Sequence, residues 1–338
     1  MAKVAALFTP LSAHFVVPGA ASLAPNVFPL PFLLLYKLPI WAADLGIGLV
    51  LWSRTRSVGA ASLYLFNPLV LVVSGAWMFD AIPALLTLLA LLAFERERHA
   101  TTGALLALGF LMKFYPLFLL PTFFLALVWR RDARAFRLVG AFALVSLALM
   151  APFWPEIGSA FAFNGARQGG GLSIHQVFQS WIQLHDASMV RFELVVSPIL
   201  GAIVLVGGLG ITYAALDRVR PPIQAAVTMT LLAFLLVSKV VNEQYLLWVL
   251  PFAILQAHRP PATQAKRIAF HLLWAVPFLY LLAHVPITAF WPGGLGITAT
   301  IVAHRDALLV ASAVSAIAFT LTLAFALWAF AERREAPA

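Results

Sequence analysis

The chain has 338 residues, of which 62% are hydrophobic and only 10% are charged. Ordinary soluble proteins carry roughly a quarter charged residues, so this composition excludes a soluble protein and indicates a chain embedded in a bilayer. The formal charge is +9, and the absence of cysteine excludes disulfides, thiolate metal sites and cysteine nucleophiles. No polar stretch is long enough to form a separate soluble domain.

Apolar runs bounded by polar, proline or glycine residues predict an all-α transmembrane bundle of about eleven spans. The runs lie near 29–52, 57–76, 81–94, 101–113, 115–129, 138–153, 193–216, 222–237, 245–257, 268–289 and 306–330. Several are shorter than the ~20 residues of a straight span. Such short or broken helices survive only where protein or a water-filled cavity satisfies their ends, so we expect a site near them.

The predicted membrane domain covers 29–330, between an N-terminal segment at 1–28 and a short tail at 331–338. Most of the 22 basic residues, such as Arg54 and Arg130, fall in alternate connections. The positive-inside rule places these connections in the cytoplasm, and this distribution argues against nucleic-acid binding. An odd number of spans then puts 1–28 on the exoplasmic side, either as the remnant of a truncated first loop or as a signal peptide.

The first polar cluster closes the motif LFNPLVLVVSGAWMFD at 65–80, where Asp80 directly precedes a predicted span. An ionisable group inside a membrane costs about 2.5–3.5 kcal/mol at the midplane, so its retention needs a reason. Asp80 is our candidate catalytic residue, as a base or as the group that orients an acceptor hydroxyl. The alternative is that Asp80 caps the helix that follows it.

The second cluster lies in the motif LGFLMKFYP at 108–116, where Pro116 prevents the first of two short helices from continuing. Lys113 in this turn, beside Tyr115, is suited to pair with a lipid-linked phosphate at the membrane interface. The alternative is a lysine that only extends its ammonium into the headgroup layer.

The third cluster lies in the longest predicted exoplasmic connection, in the sequence GARQGGGLSIHQVFQSW at 165–181. Glycine-rich backbone can present several N–H groups to an anion, and Arg167 can bind phosphate at two points, with His175 nearby. Trp181 can stack against a sugar or lie in the membrane interface. The alternative is that the glycine run is ordinary solvated loop.

The fourth cluster, SKVVNEQYLLW at 238–248, is the densest group of polar residues outside the cytoplasmic connections. A cation, a carboxylate and two amides beside the membrane suit the binding of phosphate and sugar hydroxyls. These substrate-binding candidates are Lys239, Asn242, Glu243, Gln244 and Tyr245. A structural ion pair between Lys239 and Glu243 at helical spacing is the alternative.

The sequence contains no motif for a metal site or a nucleotide-binding site. The eight histidines show no paired metal-ligand spacing, and no glycine motif for a nucleotide stands between a strand and a helix. We therefore expect neither a metal nor a cofactor.

The motifs at 65–80, 108–116 and 238–248 resemble segments of the GT-C superfamily of multi-span glycosyltransferases. Similar members include the catalytic subunit of GPI mannosyltransferase and bacterial and archaeal mannosyltransferases that use polyprenyl-phosphate sugars. KLPIWAAD at 37–44 fits an early span of this superfamily, and the resemblance covers roughly residues 30–255.

This resemblance implies the transfer of a sugar from a polyprenyl-phosphate donor to a hydroxyl on a lipid or glycan acceptor. Mannose is the sugar that the resemblance favours. The resemblance also implies an enzyme of the plasma or inner membrane with an exoplasmic active site. Asp80 matches an acidic loop residue of the superfamily, Lys113 and Tyr115 match its lysine–tyrosine–proline turn, and Gln244 and Tyr245 match its later Gln-Tyr pair. The superfamily's principal carboxylate, in a loop after the first span, has no counterpart before Asp44.

That missing carboxylate leaves a second interpretation open. Relatives of such enzymes serve as non-catalytic subunits that recognise lipid, and a scaffold of that kind would work with partner subunits. A lipid-sugar flippase is a third interpretation, which predicts ionisable pairs deep within the spans, where Asp44 is the clear candidate.

Overall fold

The computed structural model describes residues 30–75, 78–159, 170–185, 190–258, 263–288 and 305–331. These residues form an all-α protein with one pair of two-residue strands, β1 (Gly170–Gly171) and β2 (Val240–Val241). The helices are α1 (Leu30–Thr55), α2 (Val58–Leu65), α3 (Pro68–Gly75), α4 (Ala81–Glu95), α5 (His99–Met112), α6 (Tyr115–Val128), α7 (Ala135–Met150), α8 (Ile174–His185), α9 (Val190–Val219), α10 (Ile223–Val237), α11 (Leu250–His258), α12 (Gln264–Thr288) and α13 (Arg305–Phe330). Single 3₁₀ segments follow α7 and β2, at Ala151–Phe153 and Glu243–Trp248.

Within the described residues, four helical segments are long and apolar enough to cross a membrane. They are Ala135–Ser159, Ile199–Val219, Gln264–Leu282 and Leu309–Phe330, and α2 with α3 forms a fifth if this pair, bent by 48°, is one span. The expected membrane bundle of helices is therefore present, but the count of about eleven spans is not confirmed. Helices α4, α5, α6 and α10 have only 14 or 15 residues, about 22 Å at most, against a hydrocarbon core of ~30 Å.

Local sequence explains where the short helices begin. Ser57 caps α2 by accepting a hydrogen bond from the Ala60 amide at 3.3 Å. The Asn67 carboxamide accepts one from the Leu69 amide at 3.0 Å at the bend before α3. Pro116 occupies the first turn of α6, where its missing N–H costs nothing. These breaks divide the apolar sequence into helices shorter than the bilayer.

Helices α4, α10 and α11 are mostly buried, whereas α7 and α9 expose apolar side chains. Gly103 of α5 permits close contact with α7, since a Cβ there would lie 2.1 Å from the Leu138 carbonyl oxygen. Leu144 of α7 and Ile211 of α9 are each more than 70% exposed, as expected for helices that face lipid.

Contacts between helix ends define two ends of the bundle. At the basic end, Arg54 pairs with Glu95 at 2.6 Å, and the Trp129 indole donates to Asp217 at 2.7 Å. At the site end, the Lys37 ammonium donates to the Ser74 and Gly75 carbonyls at the end of α3. The polar clusters predicted from the sequence lie at the site end.

Candidate functional site

An ion pair between Asp80 and Lys113 lies at the centre of the site. Asp80 directly precedes α4, and Lys113 ends α5, so the turn of each helix brings its charge to the same place. The Lys113 Nζ lies 3.4 Å from Asp80 Oδ1, and the Asp80 side chain is only 1% exposed. Asp80 makes no side-chain capping hydrogen bond to α4, so the capping interpretation does not describe its carboxylate.

Trp248 gives the same carboxylate a second partner, since its indole Nε1 donates to Asp80 Oδ1 at 2.9 Å. Burial raises the pKa of Asp80, while the positive charge of Lys113 and the Trp248 hydrogen bond act in the opposite direction. The carboxylate is thus fixed by groups on α5 and on the 3₁₀ segment.

Aromatic rings enclose this ion pair. Trp248 stacks between Tyr115, at 4.2 Å between ring centroids, and Tyr245, at 4.1 Å. The Lys113 ammonium lies 5.0 Å from the centre of the Phe79 ring and 5.7 Å from that of Tyr245, within the range of cation–π attraction. Lys113 therefore does more than extend into a headgroup layer.

Tyr115 lies deeper than Lys113 and is 1% exposed. Its hydroxyl is 3.0 Å from the Thr87 hydroxyl, which itself donates to the Pro83 carbonyl at 2.8 Å. Tyr115 is thus the buried member of the Tyr115–Trp248–Tyr245 stack, and its hydroxyl is already engaged within the protein. Substrate contact by Tyr115 stays a prediction.

The strand pair brings the third and fourth clusters together. Gly170 and Gly171 run parallel to Val240 and Val241, and the Gly170 amide donates to the Lys239 carbonyl at 3.0 Å. Gly171 has a φ of +67°, and a Cβ there would lie 2.2 Å from the Val241 carbonyl oxygen. These glycines are therefore structured by β2, which excludes the solvated-loop interpretation for Gly170 and Gly171.

Lys239 lies between α10 and β2, and the segment from Ser238 to Asn242 is not helical. The helical spacing assumed for a Lys239–Glu243 pair therefore does not apply. The stem of Lys239 packs on α9, because a Cβ at Gly201 would lie 2.9 Å from Lys239 Cδ. Glu243, Gln244 and Tyr245 open the 3₁₀ segment, whose Asn242 cap makes no side-chain capping bond.

His175 lies in the first turn of α8, next to β1, and its buried Nε2 has no hydrogen-bond partner among the described groups. Arg167 and segment 1–28 lie outside the described residues. The structure describes nine of the ten predicted site residues, and the Lys113–Asp80 and Lys113–Tyr245 contacts and the strand pair place them toward one end of the bundle.

Sequence reasoning gave Trp248 and Thr87 no part in the site, and it gave no role to Phe79 beside Asp80. Trp248 ends the quoted motif at 238–248, and an indole N–H in an apolar setting needs an acceptor, which was the available signal. Thr87 gave no such signal, because apolar helices commonly carry isolated threonines.

The fold and the site define a multi-pass helical membrane protein with a buried acid–lysine–aromatic site at the end opposite its basic connections. Residues 48–190 match the family model of the GPI transamidase subunit PIG-U. This range contains Asp80, Lys113, Tyr115 and His175, and excludes the 3₁₀ segment Glu243–Trp248. No curated protein matches the chain.

The match corrects the family expected from the sequence. A transamidase subunit is not a glycosyltransferase, so the GT-C assignment, the mannosyltransferase activity and sugar transfer from a polyprenyl-phosphate donor were wrong. The physical reason is that an acid before one short helix, a Lys–aromatic–Pro turn and a Gln-Tyr pair build a polar site between membrane helices whatever its chemistry. The polyprenyl-phosphate sugar donor, the plasma or inner membrane location and the exoplasmic active site have no support.

Proposed function

We propose that this chain is a non-catalytic subunit of a membrane complex that acts on a GPI-type glycolipid. The observation that carries the proposal is the match of 48–190 to PIG-U, a subunit of the transamidase that attaches proteins to GPI anchors. The matched range contains the ion pair of the site. Partner subunits are part of the proposal, because a transamidase subunit acts within a complex.

The chemistry of the site supports a lipid phosphate as its ligand. Lys113 supplies a compact positive charge and keeps 21% of its side chain exposed, so its ammonium can meet a ligand from outside. Asp80 and the Phe79 and Tyr245 rings hold this ammonium in place. The Tyr245 ring also offers an apolar face of the kind that stacks against sugar rings.

The same geometry favours a structural over a catalytic Asp80. Its carboxylate is buried, and one of its oxygens already meets an ammonium and an indole N–H. A general base must reach the proton that it removes, and here Asp80 Oδ1 is already engaged by Lys113 and Trp248. Asp80 therefore orients Lys113 in this proposal.

Deletion and complementation in the cells that make the protein test the proposed function. Loss of the gene is expected to abolish surface display of a GPI-anchored reporter, and the wild-type chain is expected to restore it. A Lys113→Gln chain should restore much less, whereas Arg56→Gln, a charge change at the basic end, should restore display fully. Normal display in the deletion strain would overturn the proposal.

The phosphate contact is tested separately by crosslinking to a photoactivatable phosphatidylinositol in detergent micelles. Wild type and Arg56→Gln should crosslink equally, and Lys113→Gln several-fold less. Equal crosslinking of all three would remove Lys113 from the lipid site.

A further inference from the structure

Helix α8 reverses the usual arrangement of polar and apolar faces. Gln179 and Ser180 are buried, and the Gln176 carboxamide donates to the Ser180 hydroxyl at 3.0 Å within the polar face. Phe178 and Trp181, by contrast, are 64% and 56% exposed. In water a helix turns its apolar face inward, so this orientation fits a helix whose outer surroundings are apolar.

The helices around the site place α8 beside the lipid. α8 starts directly after β1, which pairs with β2 at the level of Lys239. Gly201 of α9 contacts Lys239 at the same level, so about eleven residues of α9, about 16 Å, extend beyond it. α8 has 12 residues, about 18 Å, and only four residues separate it from α9. α8 thus leads away from the level of Lys239, and the first part of α9 leads back to it. α13 packs alongside α8.

The short helix α10 ends below this hairpin. Its 15 residues, about 22 Å, fall short of the ~30 Å hydrocarbon core, whereas the extended part of α9 makes up the difference. The polar site at the end of α10 therefore lies beside the extended part of α9. α8 is part of the wall of this site, with the polar face toward the protein.

The exposed face of α8 also changes character along the helix in the way that a membrane interface does. Phe178 comes first, Trp181 follows one turn later, and His185 ends the helix. His185 stacks on Trp181 with ring centroids 5.1 Å apart. An apolar ring, an amphipathic indole and a polar imidazole in this order match the passage from acyl chains to headgroups.

We propose that Phe178 and Trp181 are inserted in phospholipid of the leaflet at the site end, so that α8 separates the polar site from the acyl chains. This lipid contact is independent of the lipid phosphate proposed for Lys113. Of the two roles that the sequence left open for Trp181, this proposal favours a position in the membrane interface over stacking against a sugar.

The absence of cysteine makes the test direct. Phe178→Cys and Trp181→Cys are each labelled with a nitroxide in the full chain, reconstituted in phosphatidylcholine vesicles, and their collision rates with O₂ and with Ni(II)-EDDA are measured. Leu144→Cys on the lipid-facing side of α7 and Arg96→Cys at the exposed end of α4 serve as lipid and water references.

Both α8 labels are expected to collide with O₂ several-fold more readily, relative to the nickel complex, than the label at residue 96, and to approach the label at residue 144. Frequent nickel collisions at both α8 positions would show a solvated helix and overturn the proposal. Low collision rates with both reagents would show a protein cover, from a second copy or another chain, and would overturn it as well.

Discussion

The two ends of the molecule hold their charges in opposite ways. At the basic end, Arg54 and Glu95 form an ion pair with 44% and 23% of their side chains exposed. At the site end, Lys113 and Asp80 form one with 21% and 1% exposed. The distance is shorter at the basic end, at 2.6 Å against 3.4 Å, so distance alone does not rank the two pairs.

Exposure decides what each pair contributes. Water screens an exposed pair, whose contribution is about 0–1 kcal/mol. Removing one partner of a buried pair costs about 3–5 kcal/mol, because the other charge stays buried without compensation. The charged side chains of the basic end are therefore largely solvated, while the Asp80–Lys113 pair of the site end is mostly buried in the protein. The predictions below follow this contrast from the largest expected effect to the smallest.

Lys113→Met should have the largest effect on stability. We expect a loss of about 3 kcal/mol, at the low end of the range for a buried pair because Lys113 is partly exposed. Chemical unfolding in detergent micelles measures the loss. The double variant Lys113→Met with Asp80→Asn removes both charges and should recover most of it; a double variant as unstable as the single one would contradict the charge argument.

The Lys113→Met defect should also depend on pH. Burial raises the pKa of Asp80, and Lys113 opposes that shift, so removing Lys113 raises the pKa further. A carboxyl whose pKa is raised in the folded state destabilises the fold at pH above that pKa, and this penalty fades as pH falls from the folded-state pKa toward the lower unfolded-state pKa. The stability gap between variant and wild type should therefore narrow toward acidic pH, and a constant gap would contradict this mechanism.

Trp248→Phe should rank second. It removes the N–H donor to Asp80 and keeps an aromatic ring in the stack with Tyr115 and Tyr245. A hydrogen bond to a charged acceptor contributes about 1.5–3 kcal/mol, so we expect a loss of about 2 kcal/mol on unfolding. Phe234→Leu, a change beside Trp248 that leaves the donor in place, is the control for altered packing.

Gly171→Ala should disturb the strand pair more than the rest of the fold. The φ of +67° and the short distance to the Val241 carbonyl disfavour any side chain, and we expect a loss of about 1–2 kcal/mol. Hydrogen exchange at the Leu172 amide, which donates to the Val241 carbonyl at 2.7 Å, reports the opening of this pair. Gly140→Ala, where a Cβ meets nothing within 4 Å, should leave that exchange unchanged.

Arg54→Gln should have the smallest effect. It breaks the exposed pair with Glu95, and we expect a change below about 1 kcal/mol that shrinks further in high salt. The same unfolding measurement with and without added salt tests this. A loss equal to that of Lys113→Met would remove the contrast between the two ends.

The sequence by itself determined that this protein lies in a membrane and which charged residues lie beside its spans. Apolar runs predicted a helical membrane protein because unsatisfied backbone groups are too costly in lipid for any other open structure. Charged residues beside spans, such as Asp80, Lys113 and Lys239, marked the site because each has a cost that must be offset. Both inferences depend on local sequence, which is why they needed no structure.

Only the tertiary structure decided how those residues work together. Asp80 and Trp248 lie 168 positions apart, and no periodicity predicts their hydrogen bond. The pairing of Gly170 with Val240 also joins residues far apart in sequence. The burial that distinguishes the Asp80–Lys113 pair from the exposed Arg54–Glu95 pair likewise depends on the packing of distant segments. Charge and hydropathy report how each residue prefers its surroundings, but partners and exposure depend on which helices meet, and the packing of the whole chain sets that.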